Sequence, residues 1–274
     1  MSPETPIRLE YEHPPLIEQA ISVAFEPIKD FSIVDYGLFW TGIAADFPQV
    51  SSDAPLDNPT ENFDGVRPMG LSFNLMAQAP MPRAMFRSGD GGLVQVQIDR
   101  FGFNWAKEGD AEYPRSEAVM SRFEELFERF RSFLTDRGLG ELKLRQCELT
   151  NLNIIPILDF GADYSDMPNA LKVDPLDLGL NYLVAETYVR NRQHRIVDTN
   201  GSPIGRLHTA ISPVISNANN SHAFRLEFTA RSAPTVSKLD EMQRFFAIAR
   251  NAINGAFDAL VTDAMKKTWG EKDA

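Results

Sequence analysis

The sequence predicts an α+β fold, an antiparallel curved sheet with long helices on one face. Three observations carry that prediction. Short stretches alternate apolar and polar residues, the period of a strand buried on one side. Two longer stretches, 114–137 and 237–265, instead repeat apolar residues every three to four positions, the period of a helix. The order of these elements is also the same in residues 1–140 as in residues 141–274.

The first element is a strand within Pro14–Glu26, where Ile17, Ile21, Val23 and Phe25 fall between polar residues. A helix follows. Ser32 is its N-cap, Asp35 completes a capping box, and Ile33, Val34, Leu38, Phe39, Ile43 and Phe47 supply apolar faces up to Pro48. Residues 46–64 hold Asp46, Asp53, Asp57, Glu61 and Asp64 together with Pro48, Pro55 and Pro59, and read as an exposed connection. Residues 69–79 alternate loosely, as a strand does. The clearest local signal is a hairpin: Arg83–Arg87, the loop Ser88–Gly92 with three glycines and Asp90, and a return strand Leu93–Trp105. On the return strand Val94, Val96 and Ile98 take one face and Gln95, Gln97 and Asp99 the other, and Gly102 marks a bulge. The helix from Pro114 to Arg137 carries Val119, Phe123, Leu126, Phe127, Phe130, Phe133 and Leu134 on one stripe, with Gly138 and Gly140 as stops.

The second half follows the same order. Glu141–Pro156 is a strand, 157–181 an Asp- and Pro-rich stretch where the first half has its first helix, and Leu183–Ile196 a strand. An Asn-Gly turn in Asp198–Gly201 leads to the strand Ser202–Ser216, a turn Asn217–Ser221 and the strand Phe224–Ala230. One last helix starts near Ser237, capped by Asp240, and runs through Leu239, Met242, Phe246, Ala249, Ile253, Phe257 and Leu260 to Met265. Each half thus reads as β-α-β-β-(β)-α, the pattern an ancient duplication leaves. Saddle-like and helix-grip folds share this order, a comparison that rests on element order alone.

Of 274 residues, 38 are acidic and 27 basic, giving a net charge of −11, and 43% are hydrophobic. That apolar share excludes a disordered chain. The acidity argues against gripping nucleic acid through a general basic surface. Residues 1–140 hold 22 acidic and 12 basic residues, a net of −10, whereas residues 141–274 hold 16 and 15, a net of −1. The single cysteine, Cys147, has no disulfide partner within the chain and sits in a strand pattern, as a structural thiol. His13, His194, His208 and His222 lack zinc spacing, so neither metal nor cofactor is expected. The polar start Met1–Pro6 and the lack of a run near the ~18 apolar residues of a membrane helix predict a cytoplasmic protein without membrane contact.

The polar row Gln95, Gln97 and Asp99, with Arg87, Arg100, Asn104 and Trp105 nearby, is the strongest binding candidate. Glutamine has modest strand propensity, so a ligand or partner on that face accounts for it. The plainer account is the solvated face of an antiparallel sheet. Arg225, Glu227 and Thr229 are the counterpart in the second half. Arg190, Arg192, His194 and Arg195 form a basic hairpin, suited either to an anion or nucleic-acid contact or to guarding an edge strand against aggregation. Trp269 either caps the last helix against the core or marks an interface. No catalytic set emerges. Asp198 and His194 flank a turn, and Ser221 and His222 are adjacent, which is not how a nucleophile meets its base. The Gly89–Gly92 loop joins two strands, unlike a phosphate loop.

The opening His13–Phe25, the hairpin Phe86–Trp105 followed by Tyr113-Pro114, and the ending with Ala249–Ile253, Phe257 and Trp269-Gly270 together resemble a sporadically distributed family of uncharacterised bacterial proteins. The hairpin is the specific part. The resemblance implies no activity and supplies no catalytic residues. A patchy distribution is that of genes in toxin–antitoxin and phage-defence loci. The expectation is a non-catalytic protein acting through a protein partner or as a homo-oligomer, its acidic first half complementing a basic surface. One alternative is an enzyme or small-ligand receptor with a pocket between a long helix and the sheet. Another is nucleic-acid binding across a saddle face, which needs the 190–195 hairpin and Arg225 to form one positive patch.

Overall fold

A computed structural model describes residues 7–63, 80–109, 112–173, 180, 182, 186–216 and 220–272. The strand expected in 69–79 lies outside them, as do residues 183–185 and 217–219 of the second half. In chain order the described elements are β1 (Leu16–Phe25), α1 (Ile33–Thr41), β2 (Gln49–Asp53), β3 (Arg83–Arg87), β4 (Gly92–Gln97), β5 (Arg100–Ala106), α2 (Ser116–Asp136), β6 (Leu144–Pro156), α3 (Met167–Ala170), β7 (Arg190–Val197), β8 (Pro203–Ile215), β9 (His222–Ser232), α4 (Leu239–Leu260) and α5 (Asp263–Thr268). The nine strands form one open antiparallel sheet in the order β2-β3-β4-β5-β1-β6-β9-β8-β7. In each half the first strand lies beside the last, β1 beside β5 and β6 beside β9. The chain divides into two compact units. One comprises Gln19–Leu149 and Arg231–Phe245, the other Met1–Glu18, Thr150–Ala230 and Phe246–Ala274.

In the first of these units the return strand expected over 93–105 is two strands. The apolar residues explain why. Val94 and Val96 are even-numbered, Phe101, Phe103 and Trp105 odd, and all five are buried. With side chains alternating at period two, both sets reach one core only if the chain reverses between them. It turns at Ile98 and Asp99, which pairs Val96 with Phe101 and Val94 with Phe103. Gly102 is not a bulge, since β4 and β5 stay in register through it. Its missing side chain serves a close approach instead, because a Cβ there would stand 3.3 Å from the Ser22 Cβ. Gly91 has φ of +86° and a Cβ would meet the Ala106 carbonyl, so the loop requires glycine. The connection expected over 46–64 contains the edge strand β2, which pairs with β3 from Gln49↔Arg87 to Asp53↔Arg83 and is exposed along its length.

Phenylalanines build this unit's core. Phe130 of α2 stacks on Phe101 at 5.1 Å and contacts Phe39 of α1 at 5.2 Å, with Phe31 and Phe25 at 6.4 and 6.3 Å. α1 is held at its start by the expected capping box, in which the Ser32 N–H and hydroxyl donate to Asp35 Oδ2 at 2.9 and 2.7 Å. Arg137 donates to the other oxygen. Burial alone would raise the Asp35 pKa, but the bonds from Ser32 and Arg137 outweigh it and hold the carboxyl below its ordinary range. Asp35→Ala is expected to cost about 1–2 kcal/mol, the upper range for losing a cap, read as a lower urea midpoint at pH 7. The capping box expected at Ser237 uses Glu241 rather than Asp240: the Ser237 N–H donates to Glu241 Oε2 at 2.9 Å.

In the other unit Phe257 gathers Tyr11, Phe228 and Trp269 at 6.0, 6.3 and 5.9 Å. Trp269 is buried there, in the core. The single helix expected up to Met265 breaks after Leu260. Thr262 starts α5 as a new N-cap, its hydroxyl accepting from the Met265 N–H.

Candidate functional site

Alternation along the strands of the Gln19–Leu149 unit puts the phenylalanines on one face and a set of polar side chains on the other. These are Arg83 of β3, Gln95 and Gln97 of β4, Arg100 and Asn104 of β5, Gln146 and Glu148 of β6, and Arg231 at the end of β9. Between them lie the small residues Ala20, Ser22, Ala24 and Gly102, which leave a depression that the long side chains reach across. The helix-facing side is filled by aromatic rings, and the cavities described below open on the opposite face.

Residues 54–63 cross this polar face, held by two glutamines. Gln97 uses both ends of its carboxamide on one residue: its Oε1 accepts the Leu56 N–H at 2.8 Å and its Nε2 donates to the Leu56 carbonyl at 2.9 Å. Gln146 bridges two residues further along, accepting the Glu61 N–H at 3.4 Å and donating to the Pro59 carbonyl at 3.2 Å. A carboxamide carries one acceptor and two donors, so it satisfies a peptide's own pair as a neighbouring strand would. Arg100 adds a bond to Asn58 Oδ1 at 3.2 Å, and Arg231 binds the Glu61 carboxylate at 3.1 Å.

Beneath the crossing segment Glu148 stands between two guanidiniums. Arg100 reaches one oxygen at 2.5 Å and Ser22 Oγ at 2.7 Å, and Arg231 Nε reaches the other oxygen at 2.6 Å. The side chains of Arg100, Glu148 and Arg231 are 13%, 19% and 16% exposed, and that of Glu61 4%. Burial would raise the Glu148 pKa, but Arg100 and Arg231 overcome it and keep the carboxylate below its usual range. Two cavities of about 110 and 90 Å³ share Ser22, Arg100 and Glu148; Asn58–Thr60 line the first and Leu56 the second.

The seven residues of the predicted polar row are thus distributed. Gln97, Asp99 and Arg100 hold residues 54–63, with Gln97 Nε2 also donating to Asp99 Oδ1 at 2.7 Å. Gln95 bonds Arg83 and Asn104 at 2.7 and 3.0 Å. Arg87 is exposed at the end of β3. Trp105 is buried on the apolar face, its ring 5.1 Å from Tyr113. Sequence reasoning missed Ser22, Glu61, Gln146, Glu148 and Arg231. The signal for one of them was present: Glu148 is a charged residue inside a strand, flanked by the apolar Cys147 and Leu149.

In the other unit, β7 is an exposed edge strand, and the basic hairpin is divided between its faces. Arg190, Arg192 and His194 alternate onto one side, opposite Ile211, Thr209 and Leu207, whereas Arg195 takes the other side opposite Arg206. Arg225 is ion-paired with Glu227, and Thr229 meets the Thr150 hydroxyl at 2.9 Å. Cys147 is fully buried in β6, and burial pushes its thiol up to about 12. The thiolate is the reactive form, so Cys147 is expected to ignore a disulfide reagent such as Ellman's at pH 8 until the chain unfolds. One equivalent of fast reaction in native buffer would contradict this.

Among the described residues, no group of three or more His, Cys, Asp and Glu side chains is arranged to hold a metal ion, and no helix is long and apolar enough to cross a membrane. Comparison with family models, curated proteins and solved structures gives no match to the chain.

Proposed function

We propose that this chain is a non-catalytic protein that works by binding a protein partner. The grip on residues 56–61 supports this most strongly: polar side chains of the sheet hold main-chain N–H and C=O groups, which is the chemistry of polypeptide recognition. Glu148 is kept ionised between two arginines, while a general acid or base has its pKa near the working pH. Cavities of about 110 and 90 Å³ fall short of the roughly 300–1,000 Å³ of ordinary ligand pockets. The acidic surplus of residues 1–140 suits a basic region of the partner, and the resemblance suggests a toxin–antitoxin or phage-defence setting.

The native mass of the protein drawn from its own host at low salt tests this. A complex of fixed stoichiometry, with another protein or a second copy, that dissociates as salt rises is expected. A monomer alone at every salt concentration overturns the reading.

A further inference from the structure

Residues 56–61 behave chemically as a ligand that the chain supplies to itself. Ala54, Leu56, Asp57, Pro59 and Thr60 are exposed, and Glu61 alone is buried. The segment is seated by hydrogen bonds and one ion pair, with two cavities against it. Its direction is also informative. Gln97 on β4 and Gln146 on β6 are three strand spacings apart, roughly 14 Å. The five steps from Leu56 to Glu61 span at most about 17 Å. The segment forms no helix or turn and runs across the strands, met by side chains of β4, β5 and β6. It does not add a strand to an edge.

The seat is rich in arginine. Arg83, Arg100 and Arg231 reach across it, Arg83 paired with Asp53 and the other two sharing Glu148. Among the described residues the Arg83 Nε is buried without a hydrogen-bond partner, while its other two nitrogens bond Gln95 and Asp53. Glu61 supplies the carboxylate that Arg231 takes. Arg231 selects an anionic group, and the two carboxamides select a main chain.

We propose that this polar face is a receptor for an extended acidic peptide segment of a partner protein, and that residues 56–61 occupy it in cis. The inference rests on the partner-binding reading and names the partner's chemistry. The segment must offer one residue's N–H and C=O to Gln97, a carbonyl and an N–H two residues apart to Gln146, and a carboxylate to Arg231. A tethered segment competes at an effective concentration in the millimolar range. A partner's segment therefore takes the seat when it brings contacts of its own elsewhere.

A labelled peptide with the sequence of residues 54–63, followed by fluorescence anisotropy, tests this. The receptor is the full chain carrying Leu56→Pro and Glu61→Gln. Proline lacks the N–H that Gln97 accepts, glutamine lacks the charge that Arg231 binds, and every side chain of the seat is retained. The peptide is expected to bind this variant at least about tenfold more tightly than it binds the wild type. A peptide with glutamine at the position of Glu61 should bind about tenfold to a hundredfold more weakly. Adding Arg231→Gln to the receptor should erase the difference between the two peptides. Should the double variant melt like an unfolded chain, Glu61→Gln alone serves as receptor. A folded receptor that binds no better than the wild type, or that binds a scrambled peptide of equal charge equally well, overturns the proposal. A salt-sensitive native complex alongside that failure would leave the partner-binding reading in place.

Discussion

Replacing Glu148 with leucine is expected to destabilise the protein by about 3–5 kcal/mol at pH 7, the range for removing one member of a buried charge network. The size follows from what remains. Arg100 and Arg231 are 13% and 16% exposed and would face each other with no carboxylate between them. Ser22 and Asn58 still accept from Arg100, and Glu61 from Arg231, which favours the lower end of the range. Changing all three together to Met, Leu and Met should cost far less than the single change, because apolar packing replaces a charge set that was costly to desolvate. Acid repeats the single change. Folding lowers the Glu148 pKa below the ordinary 4.5, so the unfolded chain binds the proton more readily. The contribution is full above pH 4.5 and is lost as pH falls through the lower native value. Urea midpoints between pH 7 and 3 should drop more steeply for the wild type than for Glu148→Gln. Parallel slopes would show that Glu148 is not the group protected by its arginines.

Phe130→Ala is expected to cost about 3–5 kcal/mol, the range for deleting a buried phenyl ring. Phe130 is fully buried and touches the rings of Phe25, Phe31, Phe39 and Phe101. Its removal opens a void among rigid rings that have little freedom to close it. Phe130→Leu retains most of the volume and should cost about half as much. Phe133, one turn along and only half-buried, meets Phe39 at 5.6 Å and should lose less than Phe130 when cut to alanine. Equal losses at the two positions would mean that the core lies elsewhere on α2.

Much of this architecture was legible because it is encoded locally. The α2 stripe, the Ser32–Asp35 cap and the glycine loop before β4 each depend on residues a few positions apart. The reversal at Ile98-Asp99 was also encoded, as the change from even to odd numbering among buried residues. It was overlooked because no glycine or proline marks it. The break before α5 was signalled only by Thr262, an ordinary residue inside a helical pattern. The polar face is a different case. Gln97 stands out in a strand, but its partner Leu56 is 41 positions away, and Gln146 meets Glu61 across 85. Nothing in the local pattern of 46–64 distinguishes a solvated connection from a bound one. Proline and aspartate suit both, since an extended, acidic segment is also what a seat bearing Arg231 and two carboxamides takes.

Glutamine carboxamides hold the main chain of residues 56–61. Amide hydrogen exchange at Leu56 tests it most directly, because that N–H has Gln97 Oε1 as its acceptor at 2.8 Å. In the wild type the Leu56 amide should exchange well below its unstructured rate. In Gln97→Leu it should become fast, while the amides of β4 and β6 keep their protection. An unprotected Leu56 amide in the wild type, or protection that survives Gln97→Leu, would contradict the claim.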